Sequence, residues 1–178
     1  MSIHLSVDDL IAYTDWERQS WRDWFRQRGD NVLEIAVGPH GDGRFAILGD
    51  LIRHIFSAEK RYVERLSGQP LTDTAALPNR DAEALFQFGE QSRKALRDLL
   101  AAFPTDAWDK PRDFKILDFE IATTPKKIVA HILMHEIRHW AQIATLLRLN
   151  GMPGEWHDFL GSPVWGETVR RAAQVDRT

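Results

Sequence analysis

His131, His135 and His139 recur at intervals of four residues, and imidazoles at that interval stack up one side of an α-helix. Imidazole nitrogen is a good ligand for a divalent transition metal. Cysteine is absent, so any metal must be held by His, Asp or Glu. One ion cannot take all three of these histidines. Their Cα atoms climb about 6 Å per step, whereas ligand nitrogens must lie within about 2.1 Å of the ion. Two adjacent members can bind together, and rotation at about 100° per residue selects which. With Ile128 set at zero, Leu146 falls at about 0°, Ile132 at about 40° and Ile143 at about 60°. His139 falls at about 20° and His135 at about −20°, both within that apolar face. His131 lies about 60° off on the polar side, where it could relay a proton. Burying two imidazoles without partners would cost about 1–3 kcal/mol each. The pair therefore implies a metal, or else carboxylates or water bonded to core histidines.

The same residues read His135-Glu136-Ile137-Arg138-His139, which formally matches the HExxH pattern of zinc proteases. Three fixed positions in five are weak evidence by themselves, and the chain offers no convincing sheet to hold an extended peptide. Glu136 lies about 100° round the helix from His135. It could be a base or proton relay beside a metal, or a polar contact between helices. A third ligand would come from His4, His40, His54, His157 or a carboxylate. Only His54 lies inside a long predicted helix, on the flank of its apolar face. Rotation alone does not select His54, which by itself reads as a solvated or interfacial residue.

Four helices must position these groups. Ser6 followed by Asp9 is a capping-box start, and Val7, Leu10, Trp21, Trp24 and Phe25 carry helical spacing to Gly29, giving a first helix over about 7–28. Residues 31–43 are glycine-rich and read as a loop. Leu48, Leu51, Ile52, Ile55, Tyr62 and Leu66 define a second helix over about 45–67, stopped by Gly68. On it, Glu59 falls on the apolar side and is expected to pair with an arginine such as Arg18. A polar connection, 69–79, is long enough to cross the end of a bundle and so permits the second and third helices to run parallel. The third helix covers about 81–103 and ends at Pro104. Phe114 to Ile121 could pair as a short hairpin or remain a loop. Thr124-Pro125 opens the fourth helix, which ends at Asn150-Gly151. The tail, 152–178, has at most one short helix near 164–174. The reading is one all-α domain over 1–178, a four-helix bundle with a long connection between helices two and three.

The bulk properties remove several function classes. A net charge of −3 and a pI near 6.2 supply no basic face for nucleic acid or anionic lipid. No stretch approaches the roughly 18 consecutive apolar residues of a membrane span, and the start lacks a basic and apolar leader. A cytoplasmic protein that contacts neither nucleic acid nor membrane is expected. Four of the seven tryptophans, Trp16, Trp21, Trp24 and Trp140, fall in predicted helices, where they fill a core or wall a pocket.

The segment DLIRHIFSAEKRYVERLSG, followed about 80 residues later by HILMHEIRHWAQIATLLRLNG, resembles the two signature helices of the DinB-like superfamily, which includes the bacillithiol and mycothiol S-transferases. His135, His139, Gln142, Arg148 and Gly151 supply the later motif, and His54 with Ala58-Glu59 the earlier one. The resemblance implies an open triad of His54, His135 and His139 holding one divalent ion, nickel or zinc. It also implies a metal-dependent S-transferase or related enzyme acting on a low-molecular-weight thiol and a small electrophile, which could assemble as a homodimer. The alternative is a metal-binding stress-response protein without catalysis. An HExxH-type hydrolase ranks below both. The region 69–122 carries no motif of the family, and thiol and substrate choice would lie there.

Overall fold

Each helix starts and stops where local chemistry dictates. The computed structural model describes residues 4–41, 43–116, 118–154 and 157–166. In it, α1 (Val7–Arg28) opens with a reciprocal cap: the Ser6 hydroxyl accepts from the Asp9 amide, and the Asp9 carboxylate accepts from the Ser6 amide. The second helix, α2 (Leu48–Ser67), begins three residues later than the periodicity suggested. Ile47 is extended and bridges to Ala36, and the Asp50 carboxylate takes up the amides of Ala46 and Ile47. Gly68 ends α2 in the left-handed conformation at φ 66°, which a side chain would resist. Asp81 caps α3 (Ala82–Ala102), and Thr124 caps α4 (Pro125–Leu149) with proline in its first turn. The undecided segment 114–121 is a hairpin: β1 (Arg112–Ile116) pairs antiparallel with β2 (Phe119–Thr123), Phe114 opposite Ile121. The loop 31–43 contains two short 3-10 turns and contributes Val32, Leu33 and Val37 to the core. Of the tail helix expected near 164–174, residues 164–166 form a turn and the remainder lies outside the described residues.

Pairwise contacts fix the helix directions. A Cβ built on Gly49 would lie 1.7 Å from the Asn79 carbonyl oxygen, Gly89 lies against the Phe56 ring, and Val63 and Leu66 share a cluster with Leu96 and Leu99. Starts meet starts and ends meet ends, so α2 and α3 are parallel, as the long connection allows. Arg18 meets Glu136 and Trp21 stacks on Trp140, so α1 and α4 are parallel too. Thr14 meets Arg93 while Arg22 meets Glu83, and Tyr62 meets His131 while His54 meets His139. The two parallel pairs therefore run antiparallel to one another, giving an up, down, down, up bundle.

The interior has two apolar clusters. One gathers Trp21, Trp24, Phe25, Phe56, Phe86 and Trp140; the other gathers Ile11, Val63, Leu96, Ile128, Ile132 and Leu133. Trp21, Trp24 and Trp140 thus fill the core, while Trp16 is half-buried against Tyr13. Between the clusters lies one charged residue from each helix: Arg18, Glu59, Arg93 and Glu136, all buried. Arg18 Nη2 donates to Glu59 Oε2 at 3.0 Å, Arg93 Nη2 to Glu136 Oε2 at 2.6 Å, and Arg18 Nε to Glu136 Oε1 at 2.5 Å. The expected Arg18–Glu59 pair is therefore one edge of a neutral four-residue layer.

Candidate metal centre

The middle of α2 and the middle of α4 face one another across the antiparallel contact, and their histidines meet there. His54 Nε2 lies 3.0 Å from His135 Nε2, which lies 3.1 Å from His139 Nε2. All three ligand atoms fall within 4.8 Å of one another. Two nitrogens about 2.1 Å from one tetrahedral ion stand about 3.4 Å apart, close to the separations of His135 from each of its two neighbours. The three imidazoles could hold a divalent transition metal.

The surroundings hold the rings and keep their nitrogens available. His139 is 1% exposed, and its Nδ1 lies 2.7 Å from the Gln142 carbonyl oxygen. That contact makes Nδ1 the protonated nitrogen and turns the Nε2 lone pair toward the cluster. Gln142 is itself anchored, its amide donating to the His40 backbone carbonyl in the preceding loop. Phe45 packs its ring 4.9 Å from that of His54 and 6.5 Å from that of His139. Burial, reinforced by His139 and nearby arginines, pushes His54 down to about 4. Burial and the neighbouring imidazoles push His135 down to about 2. Both rings are neutral at pH 7, the state that binds metal.

The remaining candidates stand elsewhere. His131 is exposed, edge-on to Tyr62 at 5.3 Å and 5.5 Å from the His135 ring. It sits at the rim of the cluster, outside the group of three. His157 packs on Trp21, and its Nδ1 lies 3.4 Å from Glu17. His40 contributes its carbonyl to Gln142, and His4 is exposed near the start of α1. Glu136 resolves to the second of its two alternatives, a contact between helices. Its carboxylate accepts from Arg18, Arg93 and Trp140. Burial opposes its charge, but the two guanidinium groups hold it below the usual carboxylate range. A carboxylate so engaged is a poor base, which disfavours a proton relay there and removes the distinguishing residue of the HExxH reading.

A model of the DinB family matches residues 1–170. The chain belongs to the DinB family. No curated protein matches the sequence. In this DinB-family chain, two members of the triad, His54 and His135, line a cavity of about 410 Å³ whose wall also includes four arginines, Arg44, Arg61, Arg65 and Arg138. Sequence reasoning overlooked those arginines, although a signal was present. His54, Ala58, Arg61 and Arg65 lie at helical intervals along one stripe of α2, so a ligand stripe continues directly into a basic one. Among the described residues, no helix is long and apolar enough to cross a membrane.

Proposed function

We propose that this protein is a metal-dependent enzyme of the S-transferase kind, which activates a small thiol at an open three-histidine centre and delivers it to a small electrophile. The observation that carries the reading is the convergence of three imidazoles from two helices, two of which, His54 and His135, lie on the wall of a cavity large enough for a small molecule. Three protein ligands leave a zinc or nickel ion with a position for a substrate, whereas a structural zinc site is normally closed by four. When bound, such an ion lowers the pKa of a coordinated thiol or water, so that it ionises near neutral pH. His54, His135 and His139 supply the ligand nitrogens, Gln142 fixes the ring of His139, and Phe45 covers His54 and His139 on one side. His131, at the rim with its ring 5.5 Å from that of His135, would pass a proton to solvent.

The test uses the spectrum of the metal. Protein loaded with nickel or cobalt is titrated with 2-mercaptoethanol at pH 7.5. A sulfur-to-metal charge-transfer band should appear, with release of about one proton per site, since a coordinated thiol ionises well below its free value of about 8.5. His54→Ala should weaken or remove the band. A metal-loaded protein whose spectrum no thiol perturbs would leave a metal-binding protein without this chemistry.

A further inference from the structure

Arg18, Arg22, Arg53, Arg93 and Arg97 each pair with a carboxylate. Among the described residues, Arg61, Arg65 and Arg138 form no such pair, and these three meet on one cavity. Arg61 and Arg65 are one turn apart on α2, and Arg138 faces them from α4, between His135 and His139 in sequence. Arg65 lies over the Tyr62 ring and donates to the backbone carbonyl of Arg61, while Arg61 Nε is buried with no hydrogen-bond partner. No described carboxylate lines the cavity. Guanidinium groups gathered without a paired carboxylate repel one another, and burial together with Arg61 lowers the affinity of Arg65 for its proton despite the opposing pull of Tyr62 and Glu64. Such a cluster is held at a cost unless a ligand neutralises it. The chain is acidic overall, so this concentration of positive charge is local.

We infer that the cavity lined by Arg61, Arg65 and Arg138 binds a small molecule bearing at least two oxyanion charges, carboxylate or phosphoryl, and holds it with its uncharged end against His54 and His135. Guanidinium forks match the geometry of carboxylate and phosphate oxygens, and the charge-assisted bonds they form are the stronger kind. The cavity, about 410 Å³, falls in the range of small-ligand sites, roughly 300–1,000 Å³. His54 and His135 form the wall beside the arginines, so a ligand whose charged groups reach the guanidinium groups places its other end at the triad. This deepens the proposed function and rests on it only for the role of that other end. The anion site itself needs no metal.

Calorimetry on metal-free protein at pH 7.5 and low salt, with succinate, inorganic phosphate and uncharged succinamide as probes, tests the inference. Succinate or phosphate should bind with a dissociation constant below about 1 mM, and succinamide should not. Preference between the two anions identifies carboxylate or phosphoryl as the recognised group. Arg138→Gln and Arg61→Gln should each weaken binding about tenfold or more, while Arg97→Gln, in a separate cavity between α1 and α3, should leave it unchanged. Arg61 is partly buried and its variant could lose stability, but Arg138 is exposed, so its variant keeps the test decisive. The inference is overturned if neither anion binds up to about 20 mM, if both arginine variants bind as well as the parent, or if binding requires added zinc and disappears in His135→Ala. Zinc uptake by the same variants is measured in parallel. Loss of anion binding with uptake intact removes the anion site alone, and failed uptake with anion binding intact removes the metal centre alone.

Discussion

Glu136→Gln separates a structural role for this carboxylate from a chemical one. The substitution keeps the shape of the side chain and removes one charge from a buried layer that holds two arginines and two glutamates. Glu136 accepts from Arg18 Nε at 2.5 Å, Arg93 Nη2 at 2.6 Å, Arg18 Nη2 at 2.8 Å and Trp140 Nε1 at 3.1 Å. With Gln in its place, one oxygen becomes a donor facing donors, and the two guanidinium groups are left to share Glu59 within the layer, with Asp15 beside Arg93 at its edge. Breaking a buried pair by removing one partner costs about 3–5 kcal/mol. The retained amide oxygen still accepts, so the expected loss is about 2–4 kcal/mol. With a urea slope of about 2 kcal/mol per molar, the midpoint should fall by about 1–2 M. Urea unfolding of chelator-treated protein, followed by tryptophan fluorescence, measures this without the metal. A loss below about 1 kcal/mol, with metal uptake intact and activity abolished, would refute the structural account and restore Glu136 as a base beside the metal.

Two further outcomes follow from the triad. His54 and His135 are protonated in the unfolded chain below about 6.5 but resist protonation in the fold down to about 4 and about 2, so the unfolded state binds more protons as pH falls through 6.5. The stability they permit is complete above that value and declines toward pH 4. Metal-free protein should lose about 1–2 kcal/mol per ring between pH 7.5 and 5, allowing for water that reaches these half-buried groups. His54→Gln/His135→Gln should flatten the slope in denaturant titrations, and an unchanged slope would mean that these rings do not govern it. Gln142→Leu removes the acceptor that orients His139, and competition with a chromogenic chelator should show zinc affinity reduced about 10–100-fold. Wild-type affinity would mean that the packing of His139 suffices.

What the sequence disclosed follows from the range of the forces involved. Caps at Ser6, Asp81 and Thr124 act within one turn, so the helix starts beside them were readable from neighbouring residues. The placement of His135 and His139 on the apolar face was readable because 3.6 residues per turn is a property of the backbone. His54 was different. Its meeting with α4 depends on how two helices cross, so residue spacing left it on a flank, and only the resemblance to DinB-like proteins nominated it. The start of α2 was misplaced by three residues because Asp50 reaches back to the amides of Ala46 and Ile47 and holds that stretch extended. Glu59 with Arg18 could be expected from two charges on apolar faces. That Arg93 and Glu136 join them depends on all four helices reaching the same height, which no local pattern encodes.

That shared height has a kinematic consequence. Sliding α4 by one turn, about 5.4 Å, would carry the Glu136 carboxylate out of reach of its arginines and into the apolar level of Trp140 or of Leu133. The four charges act as detents, leaving the helix that carries His135 and His139 a single axial stop. The three imidazoles are then aligned by the frame itself, so seating an ion among them would need local ring movements and no travel of whole helices. The parts that set this alignment share no residue with the wall of the arginine-lined cavity. The cavity can therefore change its occupant, through substitutions at 61, 65 or 138, while the spacing of the triad stays where the detents put it.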